Sequence, residues 1–134
     1  MRCRIQQRSL PLRRPFAASG WTITVRDVLL FSITDENLGS TGWGESAPLP
    51  SFGTEDFPAS CEALRSAAQV LSGMSATEVG ENPDPIVLIP ALTGAPAARF
   101  AVECALLDLQ SRIENVTLAE KLGGRFRDRV PVNT

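Results

Sequence analysis

Histidine is absent from this 134-residue sequence, and lysine occurs only once, at Lys121. The chain therefore lacks a histidine base, a histidine-bound metal ion and any pair of catalytic lysines. No apolar run approaches the roughly 18 residues that a membrane-spanning helix requires, so we expect no membrane partner. The length also excludes a complete eight-stranded α/β barrel, which needs about 250 residues. These absences predict a single ordinary domain.

Cysteine is scarce as well. Cys3, Cys61 and Cys104 are an odd number of widely spaced thiols, and no CxxC pair is present. The spacing argues against a disulfide framework and against a structural zinc site. Three reduced thiols are typical of a cytoplasmic protein, which is the location we expect. Without a histidine partner, none of the thiols is predicted to act as a nucleophile.

Acidic residues are missing from the first 26 positions, although the whole chain has a net charge of −2. An arginine-rich start of this kind is compatible with a transit peptide or with an arm that binds nucleic acid. Residues 2–6 nevertheless alternate polar and apolar side chains as a strand does. We therefore favour a strand with a solvated basic face and expect no nucleic-acid partner. The six arginines are Arg2, Arg4, Arg8, Arg13, Arg14 and Arg26.

Strand patterns dominate the first third of the chain. Residues 2–7 are predicted to form a short strand, and residues 9–20, with two prolines, a loop. Apolar residues at odd positions predict a second strand, most securely over 28–34, and Asp27 in the apolar row suggests that it begins after residue 27. Residues 41–46 return as a third strand of a hairpin. The proline-rich residues 47–53 form a second loop.

Helices dominate the remainder. Thr54 or Asp56 is expected to cap a helix that ends near Gly73. Residues 80–90 read as a loop, and the strongest helix runs from residue 96 or 97 to Ile113. Apolar stripes on two of its sides predict burial against more than one neighbour, one of which these residues do not supply. A capping box at Thr117 opens a short last helix, and a strand starts near residue 130.

A family resemblance is carried by residues 42–55, which read GWGESAPLPSFGTE. This segment closely resembles the GWGExxPLPGF-S/T-xE segment of the o-succinylbenzoate synthases, with Ser51 replacing the usual glycine. These enzymes belong to the muconate-lactonizing branch of the enolase superfamily. In family order, residues 10–16 resemble the early loop and residues 99–109 the helix that crosses the capping domain. Residues 118–124, together with residues 130–133, resemble the passage into the first barrel strand.

The resemblance implies an α+β fold in which a three-stranded antiparallel sheet is followed by helices. Residues 1–124 would form the N-terminal capping domain, and residues 125–134 a connector and the start of the first barrel strand. The catalytic barrel itself would be absent, so the chain is expected to stop before it. The predicted partners are the C-terminal barrel domain of the same polypeptide and a small carboxylate substrate.

The resemblance also implies a reaction. A full-length parent would dehydrate a cyclohexadiene carboxylate to o-succinylbenzoate in menaquinone biosynthesis, with Mg²⁺ stabilising an enolate that a barrel lysine forms. We expect no catalytic residue, no metal ligand and no bound cofactor in this chain, and no turnover by the isolated polypeptide. Two alternatives remain open: a dipeptide epimerase or N-acylamino-acid racemase of the same superfamily, and a stand-alone interaction module.

The capping domain of such an enzyme contributes a lid made of two loops, here residues 12–26 and 47–54. The alternative for each candidate is that it only anchors its own loop. Glu45 is predicted to bond the loop backbone rather than to act in catalysis. The candidate lid contacts are Phe16, Ser19, Leu49, Phe52 and Gly53, and either Arg14 or Arg26 would attract a substrate carboxylate.

Overall fold

The computed structural model describes residues 1–18, 20–80 and 85–123, together with Arg129 and Pro131. Within them the fold is α+β, as predicted, with one antiparallel sheet in the order β1-β2-β3 followed by helices. The strands are β1 (Arg2–Ala18), β2 (Trp21–Asp35) and β3 (Ser40–Ser46). The helices are α1 (Phe57–Ser72), α2 (Ala76–Gly80), α3 (Pro96–Ile113) and α4 (Leu118–Lys121).

The first strand is much longer than predicted, and the loop expected over residues 9–20 is wrong. β1 continues to Ala18 and pairs with β2 along its length, with Pro11 opposite Val25 and an irregular stretch between Pro11 and Phe16. The physical reason is its position at the edge of the sheet. An edge strand needs ladder bonds on one side only, so a proline without an N–H group is tolerated.

The second strand begins at Trp21 rather than after Asp27. Asp27 lies opposite Ser9, whose hydroxyl donates a hydrogen bond to the Asp27 carboxylate at 2.5 Å. Asp27 is exposed, as are several of its neighbours in this part of the hairpin. A polar side chain is therefore compatible with the strand here, because the hairpin extends beyond the packed core.

The core lies between β2 and the helices α1 and α3. Leu29, Phe31 and Ile33 of β2 are fully buried or nearly so, and they join one apolar cluster with both helices. In α3 the stripe of Val102, Leu106 and Leu109 is buried, whereas Phe100 on the other stripe is 61% exposed. One flank of α3 is therefore covered and the other is open, as its two apolar stripes predicted.

The helix ends confirm most of the capping predictions. Asp56 caps α1 by accepting a hydrogen bond from the Ala59 N–H at 2.8 Å, and Thr117 and Glu120 form the capping box of α4. The loop predicted for residues 80–90 is in part wrong, because α2 reaches Gly80 and 3₁₀ turns cover Pro85–Leu88 and Pro90–Leu92.

Two further predictions concern the chain's last residues and the membrane. The strand expected near residue 130 and most of the 125–134 connector lie outside the described residues. Among the helices of the described ranges, none combines the length and the apolar character needed to cross a bilayer.

Candidate functional site

The far end of the β1–β2 hairpin meets the proline-rich loop after β3. Between them lies an open depression of about 470 Å³. The hairpin contributes one wall and the loop the other, so the two segments predicted to form a lid are brought together. The lining residues are Leu12, Phe16, Ile23, Arg26, Leu49 and Phe52.

Three aromatic rings join the two segments. The rings of Phe16 and Trp21 have centroids 5.6 Å apart, and Trp21 meets Phe52 edge-to-face at 5.5 Å. Edge-to-face pairs of this kind contribute about 0.5–1.5 kcal/mol beyond the burial of their area. Sequence reasoning started the second strand after residue 27 and missed this contact. The sequence signal for this contact is an aromatic residue directly after Gly20, where the second strand of the hairpin begins.

The proline-rich loop holds its own shape. A 3₁₀ turn covers Pro50–Phe52, in which the Phe52 N–H donates to the Leu49 carbonyl at 2.8 Å. Gly53 closes the turn with φ of +88° and donates its N–H to the Pro50 carbonyl at 3.0 Å. This left-handed conformation favours glycine. The turn presents Phe52 outward, and the side chain is 65% exposed.

Arg26 ties the hairpin to this loop. Its Nη2 donates to the Ala47 carbonyl at 2.7 Å and its Nη1 to the Pro48 carbonyl at 3.2 Å. Hydrogen bonds from a charged donor are worth about 1.5–3 kcal/mol each, so the pair fixes the start of the loop against β2. Arg26 also lines the depression, while both terminal nitrogens bond backbone carbonyls.

The other candidates lie in different places. Arg14 is exposed in the irregular part of β1, does not line the depression, and forms no hydrogen bond or ion pair with a described residue. Ser19 lies outside the described residues. Gly53 shapes the loop from its end, where a side chain would meet no atom within 4 Å. Phe16, Leu49, Phe52 and Arg26 are the predicted residues that the structure brings into one depression.

Glu45 does not have the role predicted for it. It is exposed, and no described residue donates a hydrogen bond to its carboxylate. Glu55 at the other end of the loop makes the backbone bonds instead, accepting from the N–H groups of Ala97 at 3.0 Å and Ala98 at 2.8 Å. Sequence reasoning missed Glu55, because its partners lie over 40 residues away at the start of α3.

The remaining reactive groups are the cysteine thiols and the acidic side chains. Burial raises the pKa of the Cys3 thiol, and burial together with the nearby Glu103 carboxylate raises the pKa of Cys104. Both thiols are therefore protonated and weakly nucleophilic at neutral pH. Nowhere in the described ranges do three His, Cys, Asp or Glu side chains lie together as metal ligands. The described residues do not fit a metal ion, and no metal-dependent step is assigned to them.

These observations define a small α+β domain in which the end of a β-hairpin meets a proline-rich loop. Residues 1–123 match the family described as "Mandelate racemase / muconate lactonizing enzyme, N-terminal domain". The chain belongs to this family, and its α+β fold is that of the enolase superfamily's N-terminal capping domain.

Two curated relatives illustrate the range of reactions among similar proteins. The chain is 32% identical to muconate cycloisomerase 1 of Acinetobacter baylyi over 92% of this chain and 34% of the relative. It is also 32% identical to the o-succinylbenzoate synthase of Proteus mirabilis over 78% of this chain and 28% of the relative. The chain thus spans about a third of the length of the curated relatives it matches.

Solved structures agree with the fold. A mandelate racemase/muconate lactonizing enzyme family protein from Roseovarius nubinhibens superposes with a TM-score of 0.82 at 28% identity, covering 97% of this chain and 35% of that one. A dipeptide epimerase from Methylococcus capsulatus, solved with Mg and the dipeptide L-Arg-D-Lys, gives 0.77 at 27% identity over 90% and 34%. An o-succinylbenzoate synthase from Thermosynechococcus elongatus, solved with Mg, gives 0.59 at 27% identity over 83% and 30%.

Proposed function

We propose that this chain forms the lid and specificity portion of a larger enzyme, an o-succinylbenzoate synthase-like lyase. The complete enzyme would dehydrate a cyclohexadiene carboxylate to o-succinylbenzoate in menaquinone biosynthesis, in the cytoplasm. The observation that carries the proposal is the depression shared by the hairpin and the proline-rich loop. Its rings are unusually exposed for their size, Phe16 by 51% and Phe52 by 65%. Exposed apolar side chains that converge on one depression are typical of a surface that covers a ligand.

The lid role follows from what these side chains do physically. Closing an apolar surface over a reacting carboxylate excludes water and strengthens the electrostatic interactions beneath it. It also orients the substrate by contacting the part that does not react. The groups that move the proton and hold Mg²⁺ are proposed to lie in a C-terminal barrel of the same polypeptide.

The choice of the dehydration reaction rests on residues 42–55. Their sequence follows the o-succinylbenzoate synthase pattern through the loop that provides Leu49, Phe52 and Gly53. o-Succinylbenzoate synthases occur both among the relatives and among the similar solved structures.

A dipeptide epimerase is the second candidate. Solved epimerases superpose at least as well as the synthase structure, and several were solved with a dipeptide bound. An epimerase and a synthase of this superfamily would share the removal of a proton next to a carboxylate. They would differ in the distal group that the lid contacts, so the substrate decides between them.

The test uses the complete polypeptide encoded by the gene that carries this chain. With Mg²⁺ present, we expect it to dehydrate the cyclohexadiene carboxylate, and we expect the 134-residue chain alone to give no turnover. Epimerisation of dipeptides without dehydration would establish the second candidate, and conversion of muconate would establish a cycloisomerase. A gene that encodes no barrel would contradict the enzyme proposal, and the stand-alone interaction module would then be the remaining candidate function.

The lid assignment has its own readout in the same enzyme. Phe52→Ala removes the most exposed ring of the depression, and we expect it to lower kcat/KM by about tenfold. Val87→Ala is the control, because Val87 is 74% exposed and lies in a 3₁₀ turn outside the depression. Equal kcat/KM values for the two variants would contradict a lid role for Phe52.

A further inference from the structure

We propose that the depression accepts an uncharged, apolar part of the substrate, and that Arg26 is a positioning residue for the lid loop rather than a ligand for a carboxylate. The inference rests on the proposed function for the identity of the occupant. It goes further in stating the chemical class of the group that faces the lid, such as a hydrocarbon ring or an alkyl or aryl side chain.

The lining is the first argument. Five of the six lining residues are aliphatic or aromatic: Leu12, Phe16, Ile23, Leu49 and Phe52. An apolar group buried among such side chains is stabilised because its surface is removed from water. A carboxylate placed there would lose its hydration without gaining a partner from these five side chains. The walls therefore favour an uncharged occupant.

The engagement of Arg26, the only charged residue among the described lining residues, is the second argument. Two of its five N–H groups already donate to the carbonyls of Ala47 and Pro48. Nearly all of the exposed surface of the depression is apolar, so the guanidinium presents little of its remaining donor capacity to a ligand there. Arg26 therefore acts on the start of the loop that carries Leu49 and Phe52 rather than on an anion in the depression.

The surrounding charges support the same conclusion. Arg14 does not line the depression and lies in the irregular stretch of β1. Arg26 is thus the one charged residue among the described lining residues, and two of its N–H groups already donate to the loop. An anionic group would find no other cation there to offset its lost hydration, and a neutral group avoids that cost.

Binding to the 134-residue chain tests the inference directly. The methyl groups of Leu12, Ile23 and Leu49 serve as NMR reporters, and the two probes are 3-phenylpropan-1-ol and succinate. We expect saturable methyl shifts with 3-phenylpropan-1-ol at millimolar concentrations and no saturable shifts with succinate. Saturable shifts with succinate, or with neither probe, would overturn the inference.

A pair of matched variants locates the binding. Phe52→Ala is expected to weaken binding of 3-phenylpropan-1-ol by about tenfold, because it removes one wall of the depression. Phe100→Ala removes the same side chain at a comparably exposed position on α3 and is expected to leave binding unchanged. Equal effects of the two substitutions would show non-specific adsorption and contradict the proposed subsite.

The positioning role of Arg26 has a readout that ligand binding does not share. Arg26→Met keeps the aliphatic stem and removes both donors, so we expect hydrogen exchange at the Phe52 and Gly53 amides to accelerate by about tenfold. Arg14→Met is the control and is expected to leave these amides unchanged. Unaltered exchange in Arg26→Met would overturn the positioning role.

The complete enzyme separates this inference from the proposed function. If it prefers substrates with an acidic distal group, the lid function stands and the apolar subsite fails. If it shows no activity toward any carboxylate while the chain binds 3-phenylpropan-1-ol at the named methyls, the subsite stands and the proposed reaction fails.

Discussion

At the scale of single residues, one carboxylate connects the proline-rich loop to the longest helix, α3. Glu55 follows the proline-rich loop and accepts hydrogen bonds from the first free amides of α3, those of Ala97 and Ala98. The residue at the cap position of α3 is Ala95, whose side chain cannot accept a hydrogen bond. Glu55 therefore caps α3 although it is distant in sequence, and its negative charge interacts favourably with the positive end of the helix dipole.

Replacing Glu55 by alanine should destabilise the domain. The variant leaves two amides of α3 without their acceptor, and we expect the free energy of unfolding to fall by about 1–2 kcal/mol. Chemical denaturation followed by circular dichroism measures the change. Glu62→Ala is the control, because Glu62 is exposed and forms only a 3.5 Å ion pair with Arg65. Its effect should stay within about 0.5 kcal/mol. Indistinguishable midpoints would refute the long-range cap.

The same residue shows where sequence reasoning reaches its limit. Asp56 was predictable as the cap of α1, because a cap and its helix are adjacent in sequence. Glu55 and Arg26 were not, because each bonds backbone groups that only the folded chain brings near. The lid candidates Phe16, Leu49 and Phe52 came from the family resemblance, and the structure places them in one depression. Their contact with substrate remains a proposal.

At the scale of elements, periodicity predicted β3 and α3 almost to the residue, and it misjudged β1. A proline predicts the end of a strand only if the strand must form hydrogen bonds with a neighbouring strand on each side, because proline lacks the N–H donor. β1 has one neighbour only, so Pro11 costs it little. Whether a strand lies at the edge or the centre of a sheet depends on tertiary structure. The local pattern carries no information about it.

The packing of α3 on β3 depends on two glycines. A Cβ atom at Gly44 would overlap the Ala101 carbonyl, and one at Gly42 would overlap backbone atoms of Ala105 and Leu109. The helix backbone thus approaches the strand more closely than any side chain on those positions permits. This close approach also lets the Trp43 N–H donate to Asp108 of α3 at 2.9 Å.

Gly44→Ala should therefore separate the helix from the strand. Backbone atoms cannot move aside as a flexible side chain can, so we expect a loss of about 3 kcal/mol in the free energy of unfolding. The matched substitution is Gly94→Ala, where a Cβ would meet nothing within 4 Å. It should change stability by less than about 1 kcal/mol. Thermal unfolding of both variants decides the matter, and a similar Tm for the two would contradict the close approach.

At the scale of the whole molecule, the domain has a covered side and an open one. The sheet and α1 cover the inner stripe of α3, while Phe100 is largely exposed and Cys104 and Leu107 of the same stripe are half-buried. Since the chain spans about a third of its relatives, a further part of the same polypeptide is the proposed cover for this stripe. The depression lies elsewhere, between the hairpin and the loop after β3.

The open stripe predicts how the isolated chain behaves. An apolar stripe of this kind promotes self-association and binds hydrophobic dyes, so we expect both for the 134-residue polypeptide.

Phe100→Ser should lower dye fluorescence at least twofold while changing the free energy of unfolding by less than about 0.5 kcal/mol, because the side chain is exposed. Dye titration and light scattering measure these effects. Leu38→Ser is the matched control, since Leu38 is 60% exposed and belongs to the β2–β3 turn rather than to the stripe. In the complete polypeptide the difference between the two variants should disappear. A monodisperse isolated chain that binds no dye would show that the stripe needs no cover, and the proposed docking of a second domain on α3 would then be wrong.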